Sequence, residues 1–283
     1  MEECDVCFRH CKLKTGQFGF CKARKSSGLN VYAANLGKIT AAALDPIEKK
    51  PLRRYKPGSK ILSIGSYGCN LRCPFCQNSD ISWSNEVSQY NDLIEYCSRF
   101  DVVEKAIELI PKGNIGIAYT YNEPLVGYEF VVECARYAKT KGLDNVLVTN
   151  GTASLRVLNE VGQYIDAMNI DLKAFSDRFY RDLVKGDFEM VKDFIREAVK
   201  MCHVELTTLI IPGENDSEQE IRELSKWVAD LKGKVPGNEI PLHITRFFPC
   251  FHMTDREATP VETVYRLAEV ARENLKYVYE GNV

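Results

Sequence analysis

Six short, nearly continuous apolar runs recur along this chain, at residues 61–64, 115–120, 146–149, 167–172, 204–211 and 242–247. Unbroken apolarity over four to eight residues suits strands of a parallel sheet, which are covered on both faces. The segments between them carry helical patterning instead. In residues 126–141, Phe130, Val131, Cys134 and Ala138 fall on one face. A second helix is predicted to begin at Ser217, where Glu220 three residues on completes a capping box. Its stripe is Ile221, Leu224, Val228 and Leu231, with Gly233 as terminator. Strands alternating with helices make an α/β fold, either an open doubly wound sheet or a partial barrel.

The first 60 residues differ in texture. Residues 1–24 read as a cysteine-rich, metal-binding knuckle, and residues 25–59 as a hairpin followed by a linker. The hairpin is expected to pair 29–32 with 38–42, and Pro46, Pro51, Pro57 and Gly58 punctuate the linker. Thirteen basic residues stand against five acidic ones in residues 1–60, although the whole chain is close to neutral at −2. This local excess either offsets thiolates at a metal site or forms a docking face around Lys49, Lys50, Arg53, Arg54 and Lys56. Near-neutrality overall argues against a nucleic-acid partner.

Polar residues gather just after the strands. Cys69, Cys73 and Cys76 follow the first, Asn122 and Glu123 the second, and Thr149 and Asn150 close the third. Asp171 and Lys173 lie at the end of the fourth, and Glu214 and Asn215 follow the fifth. Parallel α/β folds build their sites at the carboxyl ends of strands, so a site is expected where these residues converge. Its most specific part is Gly68-Cys69-Asn70-Leu71-Arg72-Cys73-Pro74-Phe75-Cys76, a C-x3-C-x2-C loop. A [4Fe–4S] cluster ordinarily takes four cysteines, so a three-cysteine loop leaves one iron open to a small molecule. Structural zinc wants a fourth ligand nearby, and neither His nor Cys follows closely after Cys76.

With Phe75 as the aromatic residue, this loop resembles the C-x3-C-x-aromatic-C signature of the radical S-adenosylmethionine (SAM) superfamily. The resemblance implies a partial (β/α)6 barrel over residues 60–283 and a [4Fe–4S] cluster whose open iron chelates SAM. Reductive cleavage of SAM would then give a 5′-deoxyadenosyl radical that abstracts hydrogen from a substrate. It also implies roles at the other strand ends. Asn122 and Glu123 occupy the place of the family's Gly-Gly-Glu motif, which holds the SAM amino group. Thr149, Asn150, Asp171, Lys173 and Ile211 look like its remaining SAM contacts, at the ribose and carboxylate.

A narrower resemblance covers nearly the whole chain. Asp45-Pro46-Ile47-Glu48-Lys49-Lys50-Pro51-Leu52, Tyr119-Thr120-Tyr121-Asn122-Glu123-Pro124 and Asn169-Ile170-Asp171-Leu172-Lys173-Ala174-Phe175 look like the radical SAM component of the AmmeMemoRadiSam system. Pro241-Leu242-His243-Ile244-Thr245-Arg246-Phe247 and Tyr277-Val278-Tyr279-Glu280-Gly281-Asn282 continue the match. That family is similar to pyruvate formate-lyase activating enzymes. It implies Memo-like and AMMECR-like partners or a protein substrate, with ferredoxin or flavodoxin as electron donor. The alternatives are a glycyl-radical-enzyme activase and, from another class, a non-catalytic iron–sulfur or zinc protein.

Eleven cysteines, an odd number, leave at least one thiol unpaired. Cys4, Cys7, Cys11 and Cys21 form a second group, C-x2-C-x3-C-x9-C, suited to zinc or a second iron–sulfur cluster. Cys97, Cys134 and Cys202 read as packing residues. Cys250 lies near the expected site face as a bystander or a radical relay. The opening Met1-Glu2-Glu3-Cys4 lacks the layout of a signal peptide, and no apolar run approaches membrane-spanning length. A reducing cytoplasmic location is therefore expected.

Overall fold

The computed structural model describes residues 1–83 and 94–283. Eight strands form the main sheet: β1 (Ala41–Pro46), β2 (Lys60–Gly65), β3 (Asn114–Tyr119), β4 (Asp144–Thr149), β5 (Ala167–Asp171), β6 (His203–Ile210), β7 (Leu242–Arg246) and β8 (Val278–Gly281). They lie side by side in chain order. β1 pairs antiparallel with β2, and every later pairing is parallel. Six helices make the crossovers: α1 (Arg99–Glu108), α2 (Tyr128–Thr140), α3 (Leu155–Gly162), α4 (Phe188–Met201), α5 (Glu218–Ala229) and α6 (Val261–Arg272). Right-handed crossovers between neighbours wound in one direction put every helix on the same side of the sheet. The sheet therefore curls as a barrel does, but β2 and β8 do not pair, and the partial barrel stays open.

All six apolar runs are strands, displaced by at most two residues. The pleat then sorts their side chains. Leu62, Ile117, Leu147, Met168, Leu206 and Ile244 join the large core beneath the helices. Their alternating neighbours Ile61, Ala118, Val146 and Ala167 form a separate cluster on the concave side with Ile47 and Leu52. Small residues on the strands leave room that Ile47 and Leu52, both fully buried, fill. The stretch expected to be a linker is thus, at residues 47–54, a plug in the amino-terminal mouth of the barrel. Asn169 Nδ2 donates to Pro51 O at 2.9 Å. Glu205 accepts from the backbone N–H groups of Arg53 and Arg54 at 3.0 and 2.8 Å.

Two further expectations differ from what forms. Residues 29–32 and 38–42 do not pair with each other: Val31–Ala33 pairs with Arg24–Ser26, and Lys38–Ile39 with Glu95–Tyr96. Leu29 is left in the turn, fully in solvent. At α5, Ser217 accepts from the Glu220 N–H at 3.2 Å, but the Glu220 carboxylate turns away to the Phe175 N–H at 2.7 Å, so the box is only half made. The helix ends at Ala229 with Asp230 as its cap, before Gly233. Among the described residues no helix is long and apolar enough to cross a membrane.

Candidate active site

The loop after β2 carries the three clustered cysteines across the carboxyl-terminal mouth. It is tied at several points: Gly68 N–H to Ile81 O at 2.8 Å, Arg72 N–H to Val184 O at 2.8 Å, and Pro74 O to the His252 N–H at 2.9 Å. Gly68 has φ +93°, and a Cβ there would meet Cys21 O at 2.4 Å, so only glycine lets the N-terminal segment pack this closely. Cys69, Cys73 and Cys76 line one cavity of about 310 Å3, open to solvent, together with Phe75, Asn122, Glu123, Thr149, Asn150, Asp171 and Lys173.

Each strand end supplies a distinct group. After β3 the chain turns through Tyr121, a non-glycine residue at φ +70°, whose hydroxyl donates to Asp45 Oδ2 at 2.8 Å. Asn122 braces the cysteine loop: its Oδ1 accepts from the Ser66 N–H at 3.0 Å and its Nδ2 donates to Gly68 O at 3.1 Å. The Glu123 carboxylate bridges to the end of β4, accepting from Thr149 Oγ1 (2.8 Å), the Asn150 N–H (2.8 Å) and the Leu125 N–H (3.0 Å). Burial, with the Asp171 charge adding to it, outweighs these donors and pushes the Glu123 carboxyl up to about 7. It is a buried carboxylate short of a cationic partner.

Asp171 and Lys173 stand on one side of the chain leaving β5 and pair at 2.7 Å. Burial alone would lower Lys173, but Asp171 outweighs it and holds the ammonium firmly protonated. Burial pushes Cys73 up to about 12, while Lys173 pulls it the other way, so binding a cation is what would bring this thiol to its thiolate form. Asn150 Nδ2 approaches Cys69 Sγ at 3.7 Å. Ile211 does not line the cavity. β6 ends at Ile210, and the Ile211 N–H is drawn to Asn215 Oδ1 at 2.8 Å, so Leu209 and Thr207, one and two pleats earlier, face inward instead.

Several lining residues were not picked out from the sequence: Pro51, Gln77, Asn78, Thr207, Leu209, Thr245 and Asn282. The inward parity of the fifth and sixth apolar runs was the signal available for Thr207, Leu209 and Thr245. Cys250 reaches the loop, its Sγ donating to Phe75 O at 3.2 Å, but does not line the cavity. His243 turns inward at the other mouth, onto Glu205, and Arg246 turns out to Thr259 O. Cys134 and Cys202 are buried and Cys97 half-buried.

Cys4, Cys7, Cys11 and Cys21 line a second, small cavity against the same loop, with Arg9, Arg24 and Asn70 in its wall. Among the described residues no three His, Cys, Asp or Glu side chains stand in ready-made metal geometry, at either cysteine group. What the two groups share is convergence of thiols on one space. At the first, the donor set of three thiols without a fourth Cys or a His on the cavity wall fits a four-iron cluster with one open iron. The basic residues 49–56 make no continuous face, since Lys50 is buried on Asp45 at 2.9 Å and Arg54 lies over Tyr277.

The model of the Radical SAM superfamily matches residues 63–225. An uncharacterized protein of Methanocaldococcus jannaschii is 39% identical over 284 residues, covering 99% of this chain and 81% of that protein. The pyruvate formate-lyase 1-activating enzyme of Escherichia coli strain K12 is 24% identical over 193 residues, covering 66% of this chain and 75% of that one. Among solved structures, QueE from Escherichia coli superposes with a TM-score of 0.52 at 14% identity, over 86% of this chain and 92% of that chain, a likeness of fold alone.

Proposed function

The chain belongs to the radical SAM superfamily, whose enzymes use a [4Fe–4S] cluster and SAM, and from that premise we propose that Cys69, Cys73 and Cys76 hold the cluster while Glu123, Asp171 and Lys173 receive SAM. The observation that carries this reading is the shared cavity at the carboxyl ends of the strands, where three thiols meet two acidic side chains and one cationic one. Cluster and SAM together supply a 5′-deoxyadenosyl radical, which takes a hydrogen atom from a C–H bond of the substrate.

The chain's own residues bind and orient. Glu123, raised to about 7 by burial, gains an ammonium partner from the SAM amino group and sheds its proton in doing so. Lys173 offers its charge to the SAM carboxylate, and Asp171 accepts from ribose hydroxyls. Thr149 and Asn150 hold Glu123 at the required place through their hydrogen bonds to it. Phe75, buried against Phe179, would help keep water from a cluster held by the cysteine loop. An electron donor of the ferredoxin or flavodoxin type would supply the electron that the cluster needs. Cys4, Cys7, Cys11 and Cys21 hold a second metal, zinc or another iron–sulfur cluster.

The substrate belongs to a Memo- and AMMECR-associated system, a reading supported by the segments Asp45-Pro46-Ile47-Glu48-Lys49-Lys50-Pro51-Leu52 and Asn169-Ile170-Asp171-Leu172-Lys173-Ala174-Phe175. A second reading, abstraction of hydrogen from a backbone glycine of a partner enzyme, is favoured by the similarity to the Escherichia coli pyruvate formate-lyase 1-activating enzyme. The test is anaerobic reconstitution with iron and sulfide, then dithionite and SAM. The expected products are 5′-deoxyadenosine and methionine; a fully loaded cluster that yields neither contradicts the proposal. A glycyl radical seen by electron paramagnetic resonance on adding a partner would select the second reading.

A further inference from the structure

We propose that Cys4, Cys7, Cys11 and Cys21 close around one metal–thiolate centre, charge-balanced by Arg24, whose wall is the active-site cysteine loop, so that loading it fixes the position of Cys69. The coupling rests on the reading of Cys69 as a cluster ligand given above; the N-terminal centre itself does not.

The occupant's charge follows from Arg24. This side chain is buried, at 5% exposure, and lines the four-cysteine cavity. Its Nη1 donates to both carboxylate oxygens of Glu129, at 2.6 and 2.8 Å, and its Nη2 to Val31 O at 3.2 Å. Its Nε, equally buried, has no hydrogen-bond partner of ordinary geometry among the described residues, and the guanidinium lies near the Cys4 thiol. A buried guanidinium N–H left unpaired is costly, and such groups are almost always satisfied. Four thiolates around a divalent ion, or around a four-iron cluster in its doubly charged form, carry a net double negative charge. Sulfur in such a centre is the acceptor this donor lacks. The excess of 13 basic over five acidic residues in residues 1–60 fits the same anionic occupant.

The connection to the active site is direct. Adjacent residues of one loop face the two cavities: Cys69 and Leu71 line the larger, and Asn70 between them lines the smaller. Asn70 is held from both sides, its carbonyl oxygen accepting from Arg9 Nε at 2.8 Å and its Oδ1 from Asn150 Nδ2 at 2.9 Å. Arg72 donates to Cys69 O at 2.8 Å and to Phe20 O at 2.7 Å, joining the loop to the turn just before Cys21. The absent Cβ of Gly68 gives Cys21 O its place against the loop. A segment of about twenty residues has too little core to hold this arrangement alone, so metal is what orders it.

The test begins from the full chain carrying Cys69→Ser, Cys73→Ser and Cys76→Ser, purified anaerobically from cells supplied with zinc and iron. Metal analysis is expected to find one zinc, or about four irons, per chain, the count telling the two centres apart. Arg24→Lys in the otherwise native chain keeps the ion pair with Glu129 but loses Nε, and a chelator is expected to strip the N-terminal metal about tenfold faster. Cys21→Ser is expected to retain the first cluster's four irons while changing its paramagnetic resonance spectrum. A triple-serine chain holding neither metal, or an Arg24→Lys chain stripped at the native rate, overturns the centre. A Cys21→Ser spectrum identical to the native one overturns the coupling. A native chain that fails to cleave SAM, beside a triple-serine chain that keeps its metal, would reject the active-site assignment and leave the N-terminal centre standing.

Discussion

The two mouths of the partial barrel each bury a glutamate, and the two are driven in opposite directions. Glu205, at the amino-terminal mouth, takes ring N–H donors from His203 at 3.0 Å and His243 at 2.7 Å as well as the N–H groups of Arg53 and Arg54. Burial alone would raise it, but these hydrogen bonds prevail and hold its carboxyl down at about 2. Glu123, at the carboxyl-terminal mouth, has donors too, yet burial wins and carries it up to about 7. One end of the barrel has been closed by the chain's own plug. The other keeps an anion waiting beside three thiols and a lysine. The difference separates folding from function: the carboxylate whose donors outweigh burial anchors the scaffold, and the one whose donors do not marks where a ligand belongs.

The contrast can be broken from the plug side first. Leu52→Ala removes a fully buried side chain from the concave cluster and is expected to destabilise the protein by about 2–5 kcal/mol in urea unfolding. SAM affinity of the folded variant should be unchanged; a large loss of affinity would show that the mouths are not independent.

Glu205→Gln comes next. A carboxyl lowered from 4.5 to about 2 contributes stability that is fully present above pH 4.5 and disappears as pH falls toward 2. The shift corresponds to about 3 kcal/mol at pH 7. The gap between native and variant unfolding free energies should therefore narrow steadily below pH 4.5. A gap independent of pH would show that the carboxylate is not what the histidines and the plug hold.

Glu123→Gln sharpens the other side. Loss of a charge-assisted hydrogen bond to the SAM amino group is expected to weaken SAM binding by about 10- to 100-fold. Because the native carboxyl sits near 7, native affinity should rise as pH increases through 7, where Glu123 gives up its proton, and the variant should lose that dependence. An equal pH dependence in both proteins would assign it to another group.

Much of the scaffold was legible because parallel strands covered on both faces need unbroken apolar runs. β1 and β8 were not read as strands of this sheet. β1 carries Asp45 and Pro46 with exposed alanines, and β8 has only four residues, mostly half-buried. The plug was misread as a linker because its prolines mark breaks, while the reason for its burial lies in Ala118 and Ala167, distant in sequence and small enough to admit it. At the site, spacing alone located the cysteine loop and the polar strand ends. Ile211 escaped because the point at which a strand stops is decided locally, here by Asn215 drawing the chain back to Leu209 O and Lys173 O. The orphan donor of Arg24 was beyond any sequence pattern, since it appears only when the partners of a buried side chain are accounted for one by one.

The most direct test is the paramagnetic resonance spectrum of the dithionite-reduced cluster with and without SAM. It is recorded on the native chain and on Glu123→Gln at a SAM concentration that saturates only the former. The expected result is a four-iron signal that requires Cys69, Cys73 and Cys76, changes on adding SAM to the native chain, and stays unchanged in the variant. A native signal indifferent to SAM would contradict the assignment of the open mouth as the place where cluster and SAM meet.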